Sequence, residues 1–283
     1  ILWLAQDAHI RAPGTVLRGD FGIVTGDTLY FTQVNLRASP IDLQLLADVL
    51  PVELPVEGLM VGTVVVEGPI SSLSTEVDLR LTRAGGAESA RLRGSGTLDL
   101  QAPFGVENLD ATVAGLDLSA FPALRERMRG AGVFSGRVQA TGRLDQALHL
   151  TTTIRHQLPG RAVSVVRGQG TVSYPLGGEP AVDATLEADS VALALLGVLV
   201  PALDVLRGDV TGPIRVRGPV SDLELEAELA SAAGPVRFDA RFDLSGARPR
   251  FAAEGRLVEF RLDSILPGID ETVLTARVLA DAT

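Results

Sequence analysis

The chain has 283 residues, of which 46% are apolar and only 4% aromatic, with 30 glycines, no cysteine and no lysine. A formal net charge of −10 excludes a nucleic-acid-binding protein, because such proteins present a basic surface to phosphate. The lack of cysteine excludes disulfide frameworks, thiolate metal sites and thiol catalysis, while the apolar content suffices for one large domain or two ordinary ones.

The chain begins at Ile1 without methionine and has no recognisable signal peptide. We therefore expect either a processed protein or part of a longer one. One interpretation of the apolar stub from Ile1 to Ala5 is the end of a membrane anchor. Residues 1–42 are predicted to form N-terminal cap strands or a partial repeat.

One glycine spacing, Gly-x3-Gly-x5-Gly, occurs three times, with offsets of 74 and 76 residues between the copies. Glycine beside or within strands marks bulges, sharp bends or close backbone approach. The recurrence predicts about three structural repeats, because self-similarity at a fixed period is the signature of repeat architectures. The repeat-defining residues are Gly58, Gly62, Gly68, Gly132, Gly136, Gly142, Gly208, Gly212 and Gly218.

A short amphipathic helix is predicted before each glycine triplet, over 43–50, 118–128 and the apolar run 191–206. A truncated fourth start follows at 262–267. The run 191–206 has 16 residues and contains Pro201 and Asp204. Because a membrane-spanning helix needs roughly 20 apolar residues, we interpret this run as a buried helix.

Strict two-residue alternation after each triplet predicts strands with one apolar face. Glu224, Glu226 and Glu228 alternate with leucine and alanine, which indicates a solvated opposite face. Together these patterns predict an all-β protein with a few short helices, whose elongated antiparallel sheet curls into a groove. The residues predicted to line that groove are Leu73, Val77, Leu79, Leu81, Leu148, Leu150, Ile154, Leu223, Leu225, Leu229, Val236, Phe238, Phe242 and Phe251.

The predicted organisation follows the repeats. Repeat one covers 43–117, repeat two covers 118–193 and repeat three covers 194–261. Residues 262–283 form a truncated fourth repeat or a C-terminal cap. Each repeat is expected to hold four or five strands.

No catalytic, metal or cofactor site is predicted, and we expect the protein not to be an enzyme. The three histidines, His9, His149 and His156, lack metal-ligand spacing and are interpreted as surface residues. No serine lies in a Gly-x-Ser-x-Gly elbow. The glycine triplets lack the lysine and acidic partner of phosphate- or dinucleotide-binding loops.

A helix, the glycine triplet and then alternating strands resemble the AsmA-like and TamB-like bacterial envelope proteins. The segments VEGLMVGTVVVEGPISSLSTEVDLRL and LRGDVTGPIRVRGPVSDLELEAEL carry the resemblance, which covers about 36–262. It implies a β-taco-like trough for phospholipid or another acyl-chain ligand, and a membrane-associated place in the periplasm of a Gram-negative-type bacterium. It also implies a role in lipid transport or outer-membrane assembly.

Alternatives remain open at this point. The sheet either presents an open groove or folds on itself around a sealed core. A different function is that of a structural subunit or strut bound to an integral membrane protein complex, and the repeat alone is also compatible with an extracellular adhesin.

Overall fold

A computed structural model shows that the chain is all-β. The structure describes residues 1–44, 58–82, 88–101, 103–118, 132–158, 160, 162–193, 207–245, 250–266, 268 and 270–282. These residues contain sixteen strands and a 3-10 turn at Leu262–Ser264. They belong to two compact units, Ile1–Arg143 and Leu144–Thr283.

In each unit the strands pair antiparallel with their neighbours in sequence, so each unit is a continuous meander. The first unit contains β1 Leu2–Ala12, β2 Thr15–Val24, β3 Tyr30–Asp42, β4 Leu59–Pro69, β5 Leu73–Thr82, β6 Glu88–Asp99, β7 Gly105–Leu116 and β8 Val133–Arg143. The second contains β9 Ala147–Gln157, β10 Val163–Ser173, β11 Ala181–Ala192, β12 Asp209–Pro219, β13 Leu223–Ser231, β14 Gly234–Asp243, β15 Arg250–Arg261 and β16 Val273–Ala282.

The strands predicted from alternation are confirmed. The pattern from Leu73 to Leu81 forms β5, and the pattern from Leu148 to Ile154 forms β9. The three successive patterns after the third triplet form β13, β14 and β15. The fold follows the sequence here because alternating side chains give each strand one apolar and one polar side.

The three glycine triplets occupy matching places on β4, β8 and β12. The first glycine of each triplet precedes the strand, and the third lies next to its last residue. All six of these glycines have positive φ, a conformation that residues with a Cβ rarely adopt. Two of the strands end at Pro69 and Pro219, as expected for a residue that has no N–H to give to the ladder.

A one-residue bulge recurs on every fourth strand. It follows Ala38 in β3, Val113 in β7 and Ala188 in β11, and a matching bulge follows Leu257 in β15. In the first three cases, the residue before the bulge pairs with the second glycine of a triplet. The predicted link between these glycines and irregularities of the ladder is thereby confirmed.

The predicted helices lie mostly outside the described residues. Residues 43–44 and Leu118 are helical, and the remainder of the first two predicted helices is not described. The third prediction is wrong at its start, because Val191 and Ala192 complete β11 and pair with β12. The alternation of apolar and polar residues ends before Val191, where the apolar run begins. Sequence periodicity therefore does not mark the end of β11. At 262–267 the described residues contain only the 3-10 turn.

A small hydrophobic cluster lies at one end of the second unit. Ala233, Phe260 and Ile265 are buried, and Leu193, Val236, Leu257, Leu262 and Leu266 pack against them. The 3-10 turn supplies part of this cluster, so it covers the ends of β14 and β15.

Candidate functional site

The apolar side chains of the first unit share one face of its sheet. Leu79 of β5 pairs with Gly62 of β4 on one side and with Leu92 of β6 on the other. Because directly paired residues of antiparallel strands point to the same side, the register extends this face across the strands. We call it the apolar face. The predicted groove residues of this unit, Leu73, Val77, Leu79 and Leu81, all lie on it.

An apolar face also runs across the second unit. Leu225 pairs with Val216 of β12 and with Ala240 of β14, which in turn pairs with Ala253 of β15. Phe251 pairs with Phe242 by register. The other predicted groove residues of the unit that lie on this face are Leu148, Leu150, Ile154, Leu223, Leu229, Val236, Phe238 and Phe242.

Most of these side chains remain accessible. Among the predicted groove residues whose side chains are described, Leu73 alone is buried, and Ile154 is 42% exposed. Among the described residues no large side chain is fully buried. Side chains along the described part of the apolar face are therefore mostly half-buried.

Two further glycine pairs lie where neighbouring strands approach closely on the apolar face. A methyl group added at Gly170 of β10 would lie 2.6 Å from the Cβ of Ala184 in β11. At Gly96 of β6 it would lie 2.8 Å from the Cα of Leu109 in β7. A side chain at either glycine would therefore clash with the neighbouring strand.

Sequence analysis missed these glycine pairs, although a signal was present. They lie in the related segments RGSGT, from Arg93, and RGQGT, from Arg167, which are 74 residues apart. That offset equals the one between the first two glycine triplets.

The opposite face is charged. In the first unit, Asp78 accepts hydrogen bonds from Arg91, with Nη2–Oδ2 at 2.8 Å, and from Arg93 at 3.1 Å. These bonds, that from Arg91 above all, hold the pKa of the Asp78 carboxyl below its usual range. A second such pair joins Arg137 to Asp110 on the same face.

In the second unit the predicted solvated face carries a similar network. Glu224 is bonded to Arg217 at 3.0 Å and to Arg241 at 2.8 Å. Glu254 is bonded to Arg277 at 2.6 Å and to Arg256 at 3.1 Å. Hydrogen bonds from arginine, led by Arg217 and Arg277 respectively, lower the pKa of both carboxyls.

A cavity of about 590 Å³ lies on this charged face, between β12 and β16. Its charged lining residues are Arg217, Glu224, Glu226, Asp239, Arg241 and Glu254. A general acid working near neutral pH needs a raised pKa, whereas the pKa values of Glu224 and Glu254 are lowered, so these carboxyls do not suit that role.

The histidines lie in three different settings. His149 is exposed and pairs with Thr171 on the charged side, as predicted. His9 is exposed and accepts a hydrogen bond from Arg11 at 2.9 Å, and its pKa is lowered by lost hydration and by Arg11 and Arg18. The prediction of a surface residue is wrong for His156, which is 4% exposed. It faces the apolar side, where its partner in register is Ser164.

The described residues offer neither a cluster of metal ligands nor a membrane-spanning helix. No group of three or more His, Asp or Glu side chains in this part of the chain is placed to hold a metal ion. Over the same residues, no helix has the length and apolar character needed to span a membrane.

Comparison with known proteins identifies no relative. No family model, curated protein or solved structure matches the chain.

Proposed function

We propose that the apolar face binds the acyl chains of phospholipid or of a related ligand, in a protein of the bacterial periplasm that acts in lipid transport or outer-membrane assembly. The observation that carries the proposal is the accessible apolar face, which continues from strand to strand within each unit. Contiguous apolar surface of this extent on a soluble protein is a mark of a binding surface.

The chemistry of the face suits an acyl chain. Its lining is mostly aliphatic, with the aromatic residues Phe238 and Phe242 in β14 and Phe251 in β15. Each methylene that leaves water on such a surface contributes about 0.8 kcal/mol, and no specific polar contact is required. The close strand approach at Gly96 and Gly170 supports a curled face, which would surround a chain better than a flat sheet does.

The finer architecture belongs to the same proposal. We infer that about three repeats of 74–76 residues form one curled, β-taco-like groove. The recurrence of glycine triplets and bulges on every fourth strand supports this inference. So does the resemblance to AsmA-like and TamB-like envelope proteins. The partial exposure of Val77, Leu225 and Phe238 favours an open groove over a sealed core.

Native mass spectrometry of the purified chain tests the binding directly. We expect bound phospholipid or fatty acid that organic extraction releases. A protein that stays soluble and carries no acyl ligand, even after incubation with fatty acid, would contradict the proposal.

Adjacent valines of β4 provide a matched pair of variants. Val64 pairs with Val77 on the apolar face, whereas Val65 pairs with Glu76 on the charged face. Val64→Asp should lower the amount of bound acyl ligand by about tenfold, because the carboxylate would lose hydration beside the ligand. Val65→Asp, the same change one residue away, should leave the ligand bound. In the second unit Leu225→Asp and Phe238→Asp should act like Val64→Asp, with Leu279→Asp on the charged face as the control.

The competing function is a strut in a membrane protein complex. Edge strand β16 favours it, since Val273, Val278 and Leu279 are 60%, 50% and 69% exposed. Such an apolar edge accepts a strand from another protein. Stoichiometric co-purification with an integral membrane complex, lost when that complex is deleted, together with no acyl ligand, would support the strut instead.

A further inference from the structure

Arginine side chains collect on one half of the charged face of the first unit. They lie in two neighbouring rows of paired residues that run from β2 to β6. Because directly paired residues point to the same side, these side chains share one surface. The arginines are exposed, apart from half-buried Arg91. We call this surface the arginine band, and its residues are Arg18, Arg37, Thr63, Asp78, Arg80, Arg91 and Arg93.

Two pairs of arginines lie directly opposite each other in the arginine band. Arg18 of β2 pairs with Arg37 of β3, and Arg80 of β5 pairs with Arg91 of β6. The Cβ atoms of such pairs are about 4.5–5.5 Å apart, and like charges placed this way destabilise a sheet. The first unit therefore maintains an arrangement that is unfavourable unless opposite charge compensates it.

The second unit shows how such a repulsion is compensated within a sheet. Arg256 pairs there with Arg237 and with Arg277, and each of the three arginines is bonded to a glutamate.

Compensation is incomplete in the arginine band. Asp78 is bonded to Arg91 and Arg93. Within the part of the chain that the structure describes, Arg18, Arg37 and Arg80 form no ion pair. The band thus carries positive charge that its own surface does not neutralise, although the whole chain has a net charge of −10.

The shape and chemistry of the band favour a surface of phosphate groups as its partner. Guanidinium binds phosphate through two parallel hydrogen bonds. At about 4.8 Å per strand, the row from Arg18 to Arg93 extends about 19 Å across five strands, which suits several phosphates better than one. A stable protein interface has an apolar centre, whereas the centre of this row is the exposed side chain of Thr63.

Carboxylates limit the band on the strands that form it. Asp20 of β2 and Glu76 of β5 follow in the next row, about 7 Å away along the strands. Attraction to an anionic surface is therefore confined to one half of the charged face.

We propose that the arginine band docks the first unit on the phosphate groups of an anionic phospholipid membrane. Phosphates placed between Arg18 and Arg37 would remove the repulsion that the free protein maintains. The site lies on the face opposite to the apolar face, so the proposal goes beyond acyl-chain binding and does not depend on it.

Sedimentation of the whole chain with phospholipid vesicles tests the docking. At low salt the chain should bind vesicles that contain phosphatidylglycerol in preference to vesicles of phosphatidylcholine alone. Binding should fall steeply as salt rises, because the Debye length shrinks from about 10 Å at 0.1 M to about 3 Å at 1 M. Equal binding to both kinds of vesicle would overturn the proposal, and so would the absence of binding to either.

Arg37→Gln and Arg215→Gln form a matched pair of variants that change the net charge equally. Arg215 is also exposed on the charged face, but it belongs to the second unit and pairs with Glu226. Arg37→Gln should weaken vesicle binding about fivefold and Arg215→Gln less than about twofold. Equal losses would mean that net charge alone drives binding, which would overturn the site.

The stability of the variants provides a second measurement. Because Arg37 faces Arg18, Arg37→Gln should leave the urea unfolding midpoint unchanged or raise it while vesicle binding falls. Arg18→Gln should behave in the same way. Lower midpoints for both variants would mean that these arginines stabilise the sheet, which would contradict the argument.

The remaining outcomes identify the partner. Inorganic phosphate that releases the vesicles far better than chloride at equal ionic strength would assign the band to a small phosphate ligand instead. Binding of polyglutamate but not of vesicles, lost in Arg37→Gln, would assign it to an acidic protein. An acyl ligand on the apolar face without vesicle docking would refute the arginine band alone. Docking by a chain that carries no acyl ligand would refute the function proposed above and leave the band intact.

Discussion

Gly62 is the position in β4 where a side chain is least tolerable. Its φ is +148°. An added methyl group would overlap the carbonyl oxygen of Asp78 and would lie 2.9 Å from the carbonyl carbon of that residue. This carbonyl belongs to β5, whose neighbouring residue Leu79 pairs with Gly62. Relief of the clash therefore requires the two strands to separate.

From this geometry we expect Gly62→Ala to destabilise the protein by about 1–5 kcal/mol. The unfavourable φ and the displaced backbone each cost about 1–3 kcal/mol, and the lower entropy of the unfolded alanine chain returns about 0.5–1 kcal/mol. Gly255→Ala is the control, because a methyl group there meets only the Cβ of Val278, at 3.9 Å.

Urea unfolding followed by circular dichroism measures both variants. Gly255→Ala should unfold at or above the native midpoint, and Gly62→Ala clearly below it. Equal midpoints for the two variants would refute the argument that close strand approach, rather than flexibility, requires glycine at this position.

Two further predictions concern the charged face and the small hydrophobic cluster around Phe260. Because Arg91 lowers the pKa of Asp78 in the folded state, the stability from this pair is present above the unfolded pKa and is lost as pH falls through the lower folded value, below about pH 4. The unfolding midpoint should fall less on acidification for Arg91→Ala than for Arg80→Ala, because Arg91→Ala has already lost this pair. An equal fall of the midpoint with pH for both variants would contradict the assignment. Phe260→Ala should cost about 3 kcal/mol by leaving a cavity, whereas Val258→Ala, at a residue 54% exposed, should change the unfolding free energy by less than about 0.5 kcal/mol.

The strands could be predicted from sequence because alternation is a local property. In β5, and in β13 as far as Glu228, each apolar residue is followed by a polar one, so both the strand and its apolar side follow directly. The triplets were equally informative, since Gly62 and Gly212 need positive φ beside a bulge. Which segments pair was predictable too, because each strand joins its sequence neighbour within its unit.

Features that depend on register escaped prediction. Gly170 closely approaches Ala184, a residue fourteen positions later in the chain, and only the pairing of β10 with β11 places the two side by side. The burial of His156 could have been predicted, because His156 lies two residues after Ile154 and alternation places both on the apolar side of β9.

Pairing between sequence neighbours also has a consequence for how such a chain folds and changes length. Each pair of neighbouring strands can form before the rest of its unit, because every described pairing joins strands that are adjacent in sequence, and assembly can spread from any starting pair. Insertion or deletion of a whole hairpin preserves the direction of every later strand. The apolar side of each later strand also stays on the same face of the sheet. Insertions or deletions in the gene could therefore lengthen or shorten this sheet by two strands at a time without changing how the remaining strands pair.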